Sequence, residues 1–146
     1  MNSGGNHNLI YHVIFTKAKH HHWLFRWLHK DFQHCYVVRE SRGGQYWIVA
    51  NGTYSHLDLE LEPKELFPTI MEWADEGDTI LTVKVAIDPL LPTTQLSVIS
   101  CTDICKRALG IRDWLCWTPY QLYKNIKGNK YGEVIEAWRE RSKASS

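Results

Sequence analysis

The sequence predicts an α+β fold, an antiparallel β-sheet with surrounding helices. Three observations predict it. Runs rich in β-branched and aromatic residues recur at 9–15, 33–39, 45–51 and 79–87, the composition of buried strands. Two of these runs flank Ser41-Arg42-Gly43-Gly44, a turn that closes a β-hairpin. The stretch 100–110 carries the start and stop signals of a helix: Ser100 and Thr102 are N-cap residue types, Asp103 places a carboxylate in the first turn, and Gly110 suits the stop. The chain has 146 residues, 44% of them hydrophobic, enough for one domain with its own core.

Taken in order, residues 1–8 read as a mobile leader, 9–128 as the domain, and 129–146 as a C-terminal helix and tail. Residues 9–15 form the first strand. Within 16–30, Trp23, Leu24, Trp27 and Leu28 are spaced for a short amphipathic helix. In the hairpin, parity puts His34, Tyr36, Val38, Trp47, Val49 and Asn51 on one face. Closure at Arg42-Gly43 sets His34 directly opposite Asn51; the other register sets Thr53 opposite and Asn51 diagonal. Leu57, Leu59 and Leu61 alternate with Asp58 and Glu60, a third strand within 53–61. Residues 63–75, with Leu66, Ile70 and Trp73, fit a helix, and 79–87 another strand. A proline-punctuated loop from Asp88 then delivers the chain to Cys101. After a loop at 114–117, Thr118 caps a helix with Pro119 at its first position, ending at Gly128. Residues 131–141 read as a last, charged helix docked through Val134, Ile135 and Trp138.

The chemistry centres on Cys101. A thiol in the first helical turn faces unpaired backbone N–H groups and the positive end of the macrodipole, and both favour the nucleophilic thiolate. It needs a base, and His34 opens a strand of the hairpin. Asn51, or alternatively His56, would orient the imidazole. The segments 32–38, 48–51 and 100–103 lie in the order histidine strand, polar-residue strand, cysteine helix. In that order they resemble the circularly permuted papain-fold thiol hydrolases, the group with permuted NlpC-like peptidases and lecithin:retinol acyltransferase-like enzymes. His34-Cys35-Tyr36-Val37-Val38, the helix from Cys101 with Ile111-Arg112, and Thr118-Pro119-Tyr120-Gln121-Leu122-Tyr123 also resemble small bacteriophage and prophage proteins. The resemblance spans about 33–51 and 101–123. It implies a permuted papain-like (NlpC-like) single domain and a cysteine peptidase or amidase cleaving an amide or ester, with a peptide or peptidoglycan cross-link as the favoured substrate. Cys35, directly after the base, departs from the pattern.

Each residue also has a plainer use. Cys101, Ile104, Cys105 and Ala108 form the stripe of a buried helix face, and free cysteine is a common core residue. Cys35, Cys105 and Cys116 read as packing. The cluster His20-His21-His22, with His12 and His29, does not share one face, and no carboxylate or cysteine stands at ligand spacing nearby. Neither a metal nor an organic cofactor is therefore expected. Lys17, Lys19, Arg26 and Lys30 among Trp23, Phe25 and Trp27 suit a core helix better than a membrane-surface or partner-docking one. A net charge of +1 argues against nucleic acid as a specific partner. With no signal peptide or membrane-spanning run visible, host cytoplasm or virion is the expected location. The rival function is a non-catalytic phage virion or accessory protein that binds other phage structural proteins through a surface built on some of its seven tryptophans.

Overall fold

The computed structural model describes residues 8–17, 28–52, 57–75, 77–86 and 100–139. Six strands, β1 (Asn8–Thr16), β2 (His34–Glu40), β3 (Tyr46–Gly52), β4 (Leu57–Pro63), β5 (Thr79–Ala86) and β6 (Glu133–Arg139), form one sheet in the order β4-β3-β2-β1-β5-β6. Every neighbouring pair is antiparallel. Two short helices, α1 (Cys101–Ala108) and α2 (Pro119–Lys127), complete the regular structure among the described residues. The expected α+β, permuted papain-like fold is thereby corrected: this is a small sheet-rich domain. The difference lies in two segments whose apolar spacing mimics a helix.

The first is 63–75. Only Ile70–Trp73 makes a single 3-10 turn. Pro68 cannot sit inside a helix without costing a hydrogen bond, and the sheet claims the carbonyls that a helix would use. The Trp47 indole N–H donates to Phe67 O at 2.6 Å, and the Tyr36 hydroxyl donates to Trp73 O at 3.1 Å. Phe67, Ile70, Met71 and Trp73 thus cover Ile14, Val38, Trp47, Val49 and Ile80 on one face of the sheet, while Leu66, expected on the buried stripe, is exposed.

The second is 131–141, which becomes β6. Pairing jumps from Thr82↔Glu136 to Val83↔Val134, so Ile135 is an extra residue in the strand. A bulge reverses the facing of everything beyond it. Val134 consequently packs on one side of the sheet and Trp138 on the other, with Ile135 exposed.

The opposite face carries the larger core. Val13, Phe15, Cys35, Val37, Leu81 and Val83 meet Cys105 from α1, Leu109 at its C-cap, and Leu122 and Ile126 from α2. The hairpin takes the register in which Tyr36 faces Asn51, leaving Asn51 diagonal to His34. Its loop runs from Arg42 to Gln45, closed by Ser41 N–H to Tyr46 O at 2.9 Å, with Gly44 at φ +68°, a conformation glycine adopts without penalty. Of the amphipathic helix read within 16–30, residues 18–27 lie outside the described residues, as do 1–7 of the leader read at 1–8 and the loop at 88–99; Asn8 opens β1.

Candidate active site

The site stands where the start of β2, the end of β3 and the N-terminus of α1 converge. Ser100, in extended conformation (φ −128°, ψ 163°), caps α1, its hydroxyl accepting from the Asp103 N–H at 3.2 Å. The Ile104 N–H donates to Ser100 O at 3.1 Å. The N–H groups of Cys101 and Thr102 lie in the first turn, too early for an intrahelical acceptor. Gly52 allows the close approach: a Cβ there would lie 3.2 Å from the Cys101 Cα and would run into the Ile104 side chain. Asn51, immediately before it, is therefore held beside the N-terminus of α1.

His34 is the first residue of β2 and is partly buried. Its Nε2–H donates to Asn51 Oδ1 at 2.8 Å, which leaves Nδ1 for Cys101, the other side chain hydrogen-bonded to the ring. The Tyr36 ring stacks beside the imidazole at 6.3 Å. One imidazole thus bridges a thiol and an amide oxygen. Among the described residues the structure brings together Cys101, His34 and Asn51. His56, the alternative third residue, lies outside them.

The electrostatics favour the ion pair. Cys101 is lowered to about 4, first by a hydrogen bond from the Cys35 thiol and then by the hydrogen bond and charge of His34, with the Cys35 backbone N–H adding to both; burial opposes them and loses. His34 is raised above its ordinary value. Burial pulls it down, but the hydrogen bond and negative charge of Cys101, together with Asn51, outweigh that. Both shifts favour a thiolate beside an imidazolium over a neutral thiol beside a neutral ring.

Cys35 is the residue that sequence reasoning undervalued. Strand parity correctly points it away from His34 into the α1 side of the core, where it has no solvent exposure. That same orientation aims its thiol at Cys101. Cys105 and Cys116 are buried as expected. The other described histidines do not join the site: His12 bonds Thr82 Oγ1 through Nδ1 at 2.8 Å on the other face, and His29 stacks on Tyr120. His20, His21 and His22 lie outside the described residues, among which no group of three His, Cys, Asp or Glu side chains is placed to hold a metal ion. Nor is any helix among them long and apolar enough to cross a membrane.

No family model, curated protein or solved structure matches this chain.

Proposed function

We propose that the chain is a cysteine hydrolase, with Cys101 as nucleophile, His34 as general base and acid, and Asn51 as the orienting residue. One observation carries the reading: His34 donates to Asn51 Oδ1 at 2.8 Å through one ring nitrogen while it is hydrogen-bonded to Cys101. This is the arrangement of nucleophile, base and base-orienting group that covalent acyl transfer needs. The Cys101 thiolate attacks the carbonyl carbon of an amide or ester, and the negative charge moves to the carbonyl oxygen. The N–H groups in the first turn of α1 stabilise that oxyanion. As the tetrahedral adduct collapses, His34 gives its proton to the leaving amine or alcohol and a thioester remains on Cys101. Neutral His34 then takes a proton from water, hydroxide adds to the thioester, and the carboxylic acid departs with the thiolate restored. Asn51 keeps Nε2 protonated throughout, so that Nδ1 always handles the transferred proton.

The order His34, Asn51, Cys101 along the chain is that of the permuted thiol hydrolases and supports a peptide or peptidoglycan cross-link as substrate, in a phage setting. The test is incubation with small acyl esters and with purified cell-wall peptide fragments, watching for a thioester on Cys101 by mass spectrometry. Wild type should accumulate the adduct and turn over. Cys101→Ala should do neither, and Asn51→Ala should turn over at least tenfold more slowly, a fraction of the roughly 10²–10⁴-fold that a positioned acid–base group supplies. An inert Cys101 in a folded protein would sink the proposal.

A second reading, a non-catalytic phage virion or accessory protein, draws on the loop after α1. Trp114, Leu115 and Trp117 are each at least 60% exposed there, although buried Lys106 fixes the loop by donating to Asp113 O and Cys116 O. Large apolar side chains held rigidly in water suit a docking surface. Unchanged turnover with Trp114→Ala and Trp117→Ala in a protein that binds no phage structural component would remove this reading.

A further inference from the structure

The proposed chemistry uses one of three thiols that meet at this place. Cys105 lies one helical turn after Cys101 on α1, and Cys35 reaches both from β2. The Cys105 and Cys35 sulfurs are 3.6 Å apart, and Cys101 packs against the core cluster that holds both, close enough for the Cys35 thiol to favour its thiolate. Cys35 and Cys105 have no solvent exposure, whereas Cys101 is partly exposed. A chain of sulfur contacts therefore runs from the buried core to one accessible sulfur.

We propose that this cluster is a redox-modification site, in which a hydroperoxide oxidises Cys101 and Cys35 then closes a reversible Cys101–Cys35 disulfide. The inference rests on the thiolate of the preceding section but on no particular substrate. The sulfur of Cys101 attacks one peroxide oxygen, the O–O bond breaks, and the leaving hydroxide takes the proton of the His34 imidazolium to become water. Cys101 is now a sulfenic acid, two electrons more oxidised, and the peroxide is reduced. The Cys35 sulfur attacks the Cys101 sulfur and expels hydroxide, which combines with the thiol proton of Cys35 as a second water. Two thiols and one hydroperoxide give one disulfide with water and the corresponding alcohol or water. A dithiol reductant reverses it by exchange.

Geometry selects the partner. Residues four apart on a helix hold their Cβ atoms about 5–6 Å apart, beyond the roughly 3.5–4.5 Å that a disulfide spans. Cys101 and Cys105 are therefore poorly placed to pair with each other. Cys35 and Cys105 are in contact, but neither meets a solvent-borne oxidant. Cys35 alone joins contact with Cys101 to an approach from outside the helix. Closing the bond consumes the nucleophile, so the oxidised protein is inactive until reduced.

The test treats fully reduced protein with one equivalent of hydrogen peroxide, blocks remaining thiols with N-ethylmaleimide and maps the peptides by mass spectrometry. Wild type and Cys105→Ser should both yield the Cys101–Cys35 link, and dithiothreitol should return nearly all of the Cys101 thiol. Cys35→Ser and Cys35→Ala should instead carry Cys101 over to sulfinic acid, with little thiol recovered. Wild-type Cys101 reaching sulfinic acid as fast as in the Cys35 variants would overturn the proposal, as would a Cys35–Cys105 link in wild type. The wild-type and Cys105→Ser results decide the matter even if the Cys35 variants fold poorly. Alkylation separates the two claims. A Cys101 that alkylates as an ordinary thiol overturns the nucleophile and the switch together, whereas one that alkylates as a thiolate yet never links to Cys35 overturns only the switch.

Discussion

At the scale of single residues, the site is a competition between burial and pairing, and pairing wins. Burial alone would keep Cys101 protonated and His34 neutral. Three donors to the sulfur and one acceptor for the far ring nitrogen reverse both tendencies. Because the Cys35 thiol is the strongest of the influences on Cys101, removing His34 should not restore an ordinary thiol. We expect His34→Ala to move the pH midpoint of iodoacetamide labelling at Cys101 upward from about 4 by roughly 1–3 units, the effect of losing one adjacent opposite charge. Rates measured from pH 3 to 9 check this, and an unmoved midpoint would mean the ring does not pair with the sulfur.

At the scale of elements, the site depends on how closely α1 lies on β3, and on what anchors the helix at its other end. Gly52→Ala puts a methyl group against the Ile104 side chain and 3.2 Å from the Cys101 Cα. It should cost about 1–3 kcal/mol in urea unfolding, as overpacking does, and should raise the Cys101 labelling midpoint because the helix must retreat from His34. An equal midpoint with lowered stability would show that the helix yields without moving its sulfur. The far anchor is Lys106, 3% exposed, which pairs with Asp103 at 3.0 Å and donates to two loop carbonyls at 2.8 and 3.0 Å. Lys106→Met leaves the Asp103 carboxylate and both carbonyls without their cation. We expect a loss of about 3 kcal/mol, the cost of breaking a buried pair from one side, read as a lower urea midpoint.

At the scale of the whole molecule, the ion pair makes stability depend on pH. Cys101, at about 4 when folded, titrates near 8.5 in the unfolded chain, so its contribution is complete above about 8.5 and lost as pH falls toward 4. His34 is raised on folding, so its contribution is complete below about 6.5 and lost as pH rises through its folded value. Between about 4 and 6.5 the unfolded chain holds one proton more than the folded one, and stability climbs; above that the counts match and the curve is flat until folded His34 loses its proton. Cys101→Ala should lack that climb, so that the difference between the two stability curves widens from about pH 4 to 6.5, and a parallel pair of curves would refute it. Much of this was legible in the sequence because it is written in local signals. The caps at Ser100 and Thr118, the glycine turn at 41–44 and the alternation in β2, β3 and β4 each act over a few residues, and they located α1, α2 and the hairpin. The two misread segments failed for a shared reason: an apolar spacing at 63–75 or 134–138 fits a helix until a neighbour claims the backbone. Trp47 and Tyr36 take the carbonyls of the first, and β5 takes the ladder of the second through a bulge at Ile135. The sequence by itself determined which residue types could do the chemistry and which short elements carry them. Only the tertiary structure decided that α1 seats over Gly52, that Cys35 feeds a proton donor to Cys101, and that helices give way to a six-stranded sheet, because those outcomes depend on contacts between residues tens of positions apart.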